Sequence, residues 1–408
     1  MLRTLAIGAC LVALAIGSAE AKTFHIKPGA DAQERLQSAL IEARPGDTVR
    51  LARGRFELTA GLSLDVDRVT VRGEGDDKSV LSFTGQTSGA EGLLVTSDDV
   101  TLRDFAVEDT RGDGIKSKGA DRIRYQDLRV QWNGPPKATN GGYGVYPVSS
   151  QDVLIDRVTV RGASDAGIYV GQSRNIIVRR SRAEYNVAGI EIENCYNADV
   201  TENVATHNAG GILVFDLPGL PQQGGHSIRV FKNDIQSNDT PNFAPSGNIV
   251  AGVPTGTGVI VMANRNVHVF DNNIGENGTA NVLIIAYHND IADARYNALP
   301  RDIVIRDNTF GRTGFAPAGD FAALKAAGVP IPDVLWDGAM TYIGAGTPHN
   351  EPVRISLKDN KTSRNTPVSF LSLGLPVATS PFSDASPDAT MPGTLVIPEP
   401  APVRLPQD

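Results

Sequence analysis

Ala188-Gly-Ile-Glu-Ile-Glu193 and Gly210-Gly-Ile-Leu-Val-Phe215 lie 22 residues apart, and in both a Gly precedes two alternating aliphatic residues. The pattern Gly-apolar-x-apolar returns, sometimes loosely, at Gly92, Gly114, Gly144, Gly167 and Gly258. Successive glycine steps are 22, 30, 23, 22, 22 and 47 residues. The step of 30 reads as one period with a loop inserted at 133–142, and the step of 47 as one period with insertions near 217–225 and 240–257. A second apolar pair keeps register at Val153/Ile155, Ile176/Val178, Ala198/Val200, Ile228/Val230 and Val267/Val269. Alternation of period two marks short strands, and several strands per fixed repeat leave no room for a helix. Asn203, Asn233, Asn272, Asn308 and Asn360 each fall five residues after the first member of such a pair. Asn tolerates left-handed backbone, so these positions suit bends, and stacking lets their side chains form a ladder. A leucine-rich repeat has a similar period but needs L-x-x-L-x-L-x-x-N, which is absent. The expected fold is all-β: a single-stranded right-handed parallel β-helix, with coils of about 22 residues and an N-terminal capping helix.

Much of the high glycine content, 42 of 408 residues, is then positional, with a Gly opening most coils. Aromatic residues are only 6%, so the core is mainly aliphatic. The formal charge of −8 argues against a general nucleic-acid binder, which needs a basic footprint.

Residues 1–21 read as a signal peptide: Arg3, an apolar run over 5–17, and Ala19-Glu-Ala21, with cleavage after Ala21. Cys10 sits in a lipobox-like setting but with too short an apolar lead. No later stretch is long and apolar enough to span a bilayer, and the expected location is the periplasm or the exterior. After cleavage Cys195 is the only cysteine, so no internal disulfide forms.

Residues 22–64 are expected as an N-terminal cap. They hold an amphipathic helix at 31–43, started by a capping box of Asp31 and Glu34, then strands at 48–51 and 56–64. The β-helix is placed at 65–312, a C-terminal coil and cap with a helix at 320–327 within 313–380, and an extended Pro-rich tail at 381–408.

The cap helix followed by Gly46-Asp-Thr-Val-Arg-Leu51 resembles the entry of pectate-lyase-like β-helix proteins. Ala163-Ser-Asp-Ala-Gly-Ile-Tyr-Val-Gly-Gln-Ser173, Ala188-Gly-Ile-Glu-Ile-Glu-Asn194 and Ile212-Leu-Val-Phe-Asp-Leu-Pro218 resemble a narrower bacterial group. Its members are exported β-helix repeat proteins found paired with a c-type cytochrome. That resemblance implies a fold and a possible cytochrome partner, but carries no reaction. The broader relatives include pectate lyases, polygalacturonases and mannuronan epimerases, and the Asp-Pro-His-Asp box of the epimerases is missing.

In each coil the residue after Gly and the residue two further on point inward, so the intervening ones point outward. One outward column reads Lys116, Tyr146, Tyr169, Glu191, Leu213, Ile260, Leu283; the next reads Lys118, Val148, Gly171, Glu193, Phe215, Met262, Ile285. A charged and aromatic strip thus crosses four coils and turns apolar. Asp165, Gln172, Asn194 and Asp216 edge it, and the insertion between Trp132 and Asn140 is placed to wall it. Aromatic faces and charged groups in one groove suit a sugar chain. Lys118, Tyr146, Asp165, Tyr169, Gln172 and Asp216 are the candidate substrate-binding residues, and Lys116, Glu191 and Glu193 the candidate catalytic ones. Strand geometry puts the two Glu carboxyls roughly 6–8 Å apart, near the inverting range for glycoside hydrolysis. Alternatively Lys116 or Lys118 neutralises or deprotonates a uronate, as a lyase or epimerase requires. A charged ladder kept only for solubility is the bland reading of the same residues.

No cofactor motif is present, although Glu191, Glu193 and Asp216 offer the oxygen ligands that Ca²⁺ prefers. His207, His226, His268 and His288 are scattered without metal-ligand spacing. The expected function is binding, with cleavage or epimerisation left open, of an acidic polysaccharide on the 116–193 strip. The other reading is a non-enzymatic partner of an exported cytochrome, docked through that face or the apolar patch, which the insertions are expected to cover.

Overall fold

The fold follows from how the 22-residue coils stack. In the computed structural model, which describes residues 20–406 apart from 290–292, 294 and 342–350, every named strand pairs in parallel with the equivalent strand one coil away. The expected signal peptide lies almost wholly outside the described residues. Among the described residues one sheet has 11 strands, from Ala60–Leu64 to Phe370–Ser372. A larger sheet of 21 strands wraps the other sides. Ile168, Ile190, Ile212 and Val259 stack in register at the inner face, each wholly buried. Burying each contributes about 1.5–3 kcal/mol. The chain is a right-handed parallel β-helix.

The opening glycines have a steric cause. A Cβ at Gly189 would stand 2.6 Å from the carbonyl oxygen of Gly211 on the next coil and 2.8 Å from Nδ2 of Asn208.

Two asparagine ladders line the corners. The first is the expected one: Asn203 Nδ2 donates to Asn233 Oδ1 at 3.0 Å, Asn233 to Asn272, Asn272 to Asn308 and Asn308 to Asn360. A second, not anticipated, joins Asn186, Asn208, Asn238 and Asn277. The expectation that the asparagines themselves take the left-handed bend needs correction. The positive φ belongs to the residue before each: Glu202 (58°), Lys232 (56°), Asp271 (55°), Asp307 (55°) and Asp359 (52°). The Asn is spent on hydrogen bonding instead. Its Oδ1 accepts the preceding ladder residue's backbone N–H, and its Nδ2 reaches a strand carbonyl, as Asn203 does to Val178.

At the N-terminus a helix, Ala32–Glu42, buries Leu36 and Leu40 over the first coil. Its expected capping box does not form: the Asp31 side chain caps no backbone N–H and binds Arg35 through two bonds of 2.8 Å. The strand expected over 56–64 is two strands, Gly54–Glu57 and Ala60–Leu64, in different sheets. The chain turns a corner between them, which an unbroken apolar alternation conceals.

Beyond the last coil the chain doubles back. Ser356 Oγ receives the backbone N–H of Leu395, Glu399 pairs with Arg306 and Arg229, and the Val403 N–H donates to Asp199. Val403 and Leu405 then pack on Leu154 and Ile177. These contacts fall along one outward column of the larger sheet, from Ser356 back to Leu154. The Pro-rich segment is an extended strap across seven coils.

Candidate functional site

The strip lies on the outer face of the 11-stranded sheet, in the register read from the sequence. Lys116 pairs with Tyr146, Tyr169 with Glu191, Glu191 with Leu213, and Leu213 with Ile260. Lys118 pairs with Val148, Gly171 with Glu193, and Glu193 with Phe215. The strip is not an open groove. Glu191 is 1% exposed, Tyr169 4% and Glu193 8%.

Two insertions provide the cover. The 240–257 loop reaches Asp165 through a 2.8 Å bond from Asn248 Nδ2. Its Val250 and Val253 pack with Ala166, Ala188, Leu213 and Ile260. The 217–225 loop is pinned by Asp216, whose two carboxylate oxygens accept the backbone N–H groups of Gly225 and Gly224. Asn194 holds it a second time, bonding Leu217 and Gln222. Leu213, Phe215, Ile260 and Met262, the first part of the apolar continuation, are therefore covered.

Inside the cover lies a compact cluster. Tyr143, Tyr146 and Tyr169 meet pairwise at ring-centroid distances of 4.5, 4.6 and 4.8 Å. The Tyr169 hydroxyl donates to Glu193 Oε1 at 2.6 Å. Glu191 Oε2 is buried without a hydrogen-bond partner. On the open side Lys116 Nζ sits 3.5 Å from both Glu91 and Asp113 and 4.6 Å from the centre of the Tyr146 ring.

Burial dominates the electrostatics. It pushes Glu191 well above the ordinary carboxylate range, and the nearby Glu193 and Asp165 add to the rise. Glu193 is raised for the same reason, but the Tyr169 hydroxyl opposes it by stabilising the ionised form. Burial also carries Asp113 and Asp216 up to about 6. Asp165 is raised too, against hydrogen bonds from Asn248 and Tyr143. Five carboxyl groups that bind protons more tightly than free carboxylates thus gather on one face. Such groups concentrate where acid–base chemistry is done, though ion-pair networks also produce them.

Not every candidate joins the cluster. Lys118 is exposed at the strand end, and Gln172 faces a separate small recess with Ser150, Arg174 and Gln222. Asp216 has both oxygens committed to the loop. Trp132 turns away from the strip, its Nε1–H donating to Thr110 O. Tyr143, the first residue of the strand after the insertion, stands there instead. Tyr143 and Asp113 precede their coil glycines, where strict alternation puts side chains inside; both stand on the outer face. Alternation fails there because the chain is entering the strand from a corner. In their column Ala166, Ala188 and Gly210 follow, so the large residue at 143 was the visible signal. No three His, Cys, Asp or Glu side chains among the described residues converge as metal ligands do. Cys195 is buried, with its thiol pushed up by desolvation, so it is not an activated nucleophile.

Residues 91–241 match the family model for the right handed beta helix region. No curated protein sequence matches the chain. Among solved structures, the A-module of mannuronan C-5 epimerase AlgE4 from Azotobacter vinelandii is similar at 15% identity and a TM-score of 0.50, over 83% of this chain and 92% of that one. DFA-IIIase from Arthrobacter chlorophenolicus is similar at 12% identity and 0.51, over 85% and 96%. The catalytic unit of a GH87 alpha-1,3-glucanase from Streptomyces thermodiastaticus gives 15% and 0.51, over 85% of this chain and 54% of that one. At these identities the likeness is one of fold, and it says nothing of a cytochrome partner. No helix among the described residues is long and apolar enough to cross a membrane.

Proposed function

We propose that this is an exported protein that binds an acidic polysaccharide along Lys116, Tyr146 and Tyr169 and transforms it at the Glu191–Glu193 pair. The observation that carries the reading is the buried hydrogen bond from Tyr169 to Glu193 beside the unpartnered Glu191. Two neighbouring carboxyls whose surroundings separate their proton affinities make an acid and a base. Glu191, the more strongly raised, is the acid. Glu193, eased downward by Tyr169, is the base. Lys116, already bridging two carboxylates, is the cation that receives a uronate. The tyrosine faces bind the apolar faces of the sugar rings. The overall similarity to folds that include a mannuronan epimerase is in keeping with this reading.

Entry requires the 240–257 loop to lift, because it runs from Asp165 to Gly210 across the coil that carries Glu191. The deciding experiment incubates the purified protein with polyuronate and neutral polysaccharides and analyses products by ultraviolet absorbance, reducing ends and proton NMR. An unsaturated uronate identifies elimination, inverted residues identify epimerisation, and new reducing ends alone identify hydrolysis. Absence of all three, with no binding that Lys116→Ala weakens, defeats the proposal.

A further inference from the structure

A second concavity lies on the same sheet face, about 14 Å along the solenoid axis from Glu191 by strand spacing. Its floor is Leu283 and Ile285, which lie on the two outward columns that begin at Lys116 and Lys118. One wall is the helix Asp320–Ala326, another the segment around Phe382, and the third the far side of the 240–257 loop. The cavity holds about 1310 Å³, larger than the ~300–1,000 Å³ usual for a small-molecule site.

One polar group in it is organised in a way the apolar lining does not explain. His288 Nε2 lies 3.0 Å from Oδ2 of Asp337, which is wholly buried. Asp337 also accepts the backbone N–H of Ala286 and of Ala339. Those donors keep Asp337 an acceptor, so it takes the Nε2–H of the ring. When that is the ring's one proton the lone pair is on Nδ1, for which no hydrogen-bond partner stands among the described residues. The Phe382 ring meets His288 edge-on with centroids 6.0 Å apart, and Phe321 lies 5.5 Å beyond.

We propose that this cavity is a binding site for an aromatic hydroxyl compound, its ring among Phe321, Phe382 and the Leu283–Ile285 floor, and its hydroxyl donating to His288 Nδ1. Aromatic walls select a flat ring. His288 is 27% exposed, so a ring seated against it covers Nδ1, and a hydroxyl is then selected over an ether because covering an acceptor without giving it a donor is costly. The site stands apart from the polysaccharide strip and does not depend on its chemistry.

The test titrates the full chain with β-naphthol and with β-naphthyl methyl ether, following probe fluorescence. Wild type is expected to bind β-naphthol saturably and about fivefold or more tighter than the ether. His288→Leu should abolish that preference while keeping ether binding. Ala323→Trp, at an exposed helix position lining the cavity, should weaken both probes about tenfold by filling it, whereas Ala322→Trp, exposed but off the cavity, should change neither. The pair at 322 and 323 keeps the test valid should His288→Leu unfold. No saturable binding, an unaltered Ala323→Trp, or a preference surviving in folded His288→Leu overturns the proposal.

Discussion

The Tyr169 hydroxyl donates a 2.6 Å hydrogen bond to Glu193, one coil further on, inside a cluster from which water is nearly excluded. That bond stabilises the ionised carboxylate against the burial that raises it. Tyr169→Phe should lift the proton affinity of Glu193. The rising limb of the pH–rate profile on a polyuronate then moves up by about one pH unit, the equivalent of a charged hydrogen bond. An unmoved profile would take Glu193 out of the role of base.

Stability should fall with alkali. Glu191, Glu193, Asp165, Asp113 and Asp216 bind protons more tightly folded than unfolded. Across the interval from about pH 4 to beyond 6 the folded chain therefore holds more protons, and rising pH favours unfolding. Asp47, Asp99 and Asp127 are shifted the other way by hydrogen bonds, so their contribution is lost in acid. The midpoint of thermal unfolding is expected to peak near about pH 4 and to drop on the order of 5 °C by pH 8. Glu191→Gln keeps the shape without the charge. It should raise the midpoint at pH 8, leave it unchanged at pH 4, and lower turnover.

The second asparagine ladder makes a sharp stability test. Asn208 donates to Ala183, Thr206 and Asn238 and accepts from the backbone and side chain of Asn186, all while wholly buried. Asn208→Ala strands several of these groups and should cost about 3 kcal/mol in urea unfolding. Asn273→Ala, an exposed side chain that donates to Asp234, should stay within about 0.5 kcal/mol.

The C-terminal strap should matter more than its Pro-rich composition suggests. Ending the chain at Gly393 uncovers Leu154 and Ile177 and leaves the buried Arg229–Asp199 pair without Glu399 and the Val403 N–H. The shortened protein is expected to unfold at lower temperature by several degrees and to bind a hydrophobic dye that the full chain excludes.

Asn248 ties the loop over Glu191 to Asp165. Asn248→Ala should speed amide hydrogen exchange over 244–252 at least about tenfold, the equivalent of about 1.4 kcal/mol, while exchange in the strand Ala188–Glu193 stays slow.

The repeat, the outward columns and the first Asn ladder were legible because they are local and periodic. Gly189 must be Gly, Ile190 and Ile192 must be apolar, and each stands 22 residues from its counterpart. The second ladder was harder to see, because the insertion after Asn238 breaks its fixed distance to the next coil glycine. Tyr143 and Asp113 escaped because they sit at corners, where alternation gives the wrong face. The role of Asp216 escaped because its partners are backbone groups of a loop with no period.

By itself the sequence determined that the chain winds into coils and which residues share a face, since strand alternation and a constant repeat length set both. Only the tertiary structure decided that the strip is enclosed. Enclosure depends on where non-repeating loops land, through single contacts such as Asn248 with Asp165. It is this water exclusion, absent from any linear pattern, that raises the proton affinities of Glu191 and Glu193 above those of a solvated charged ladder.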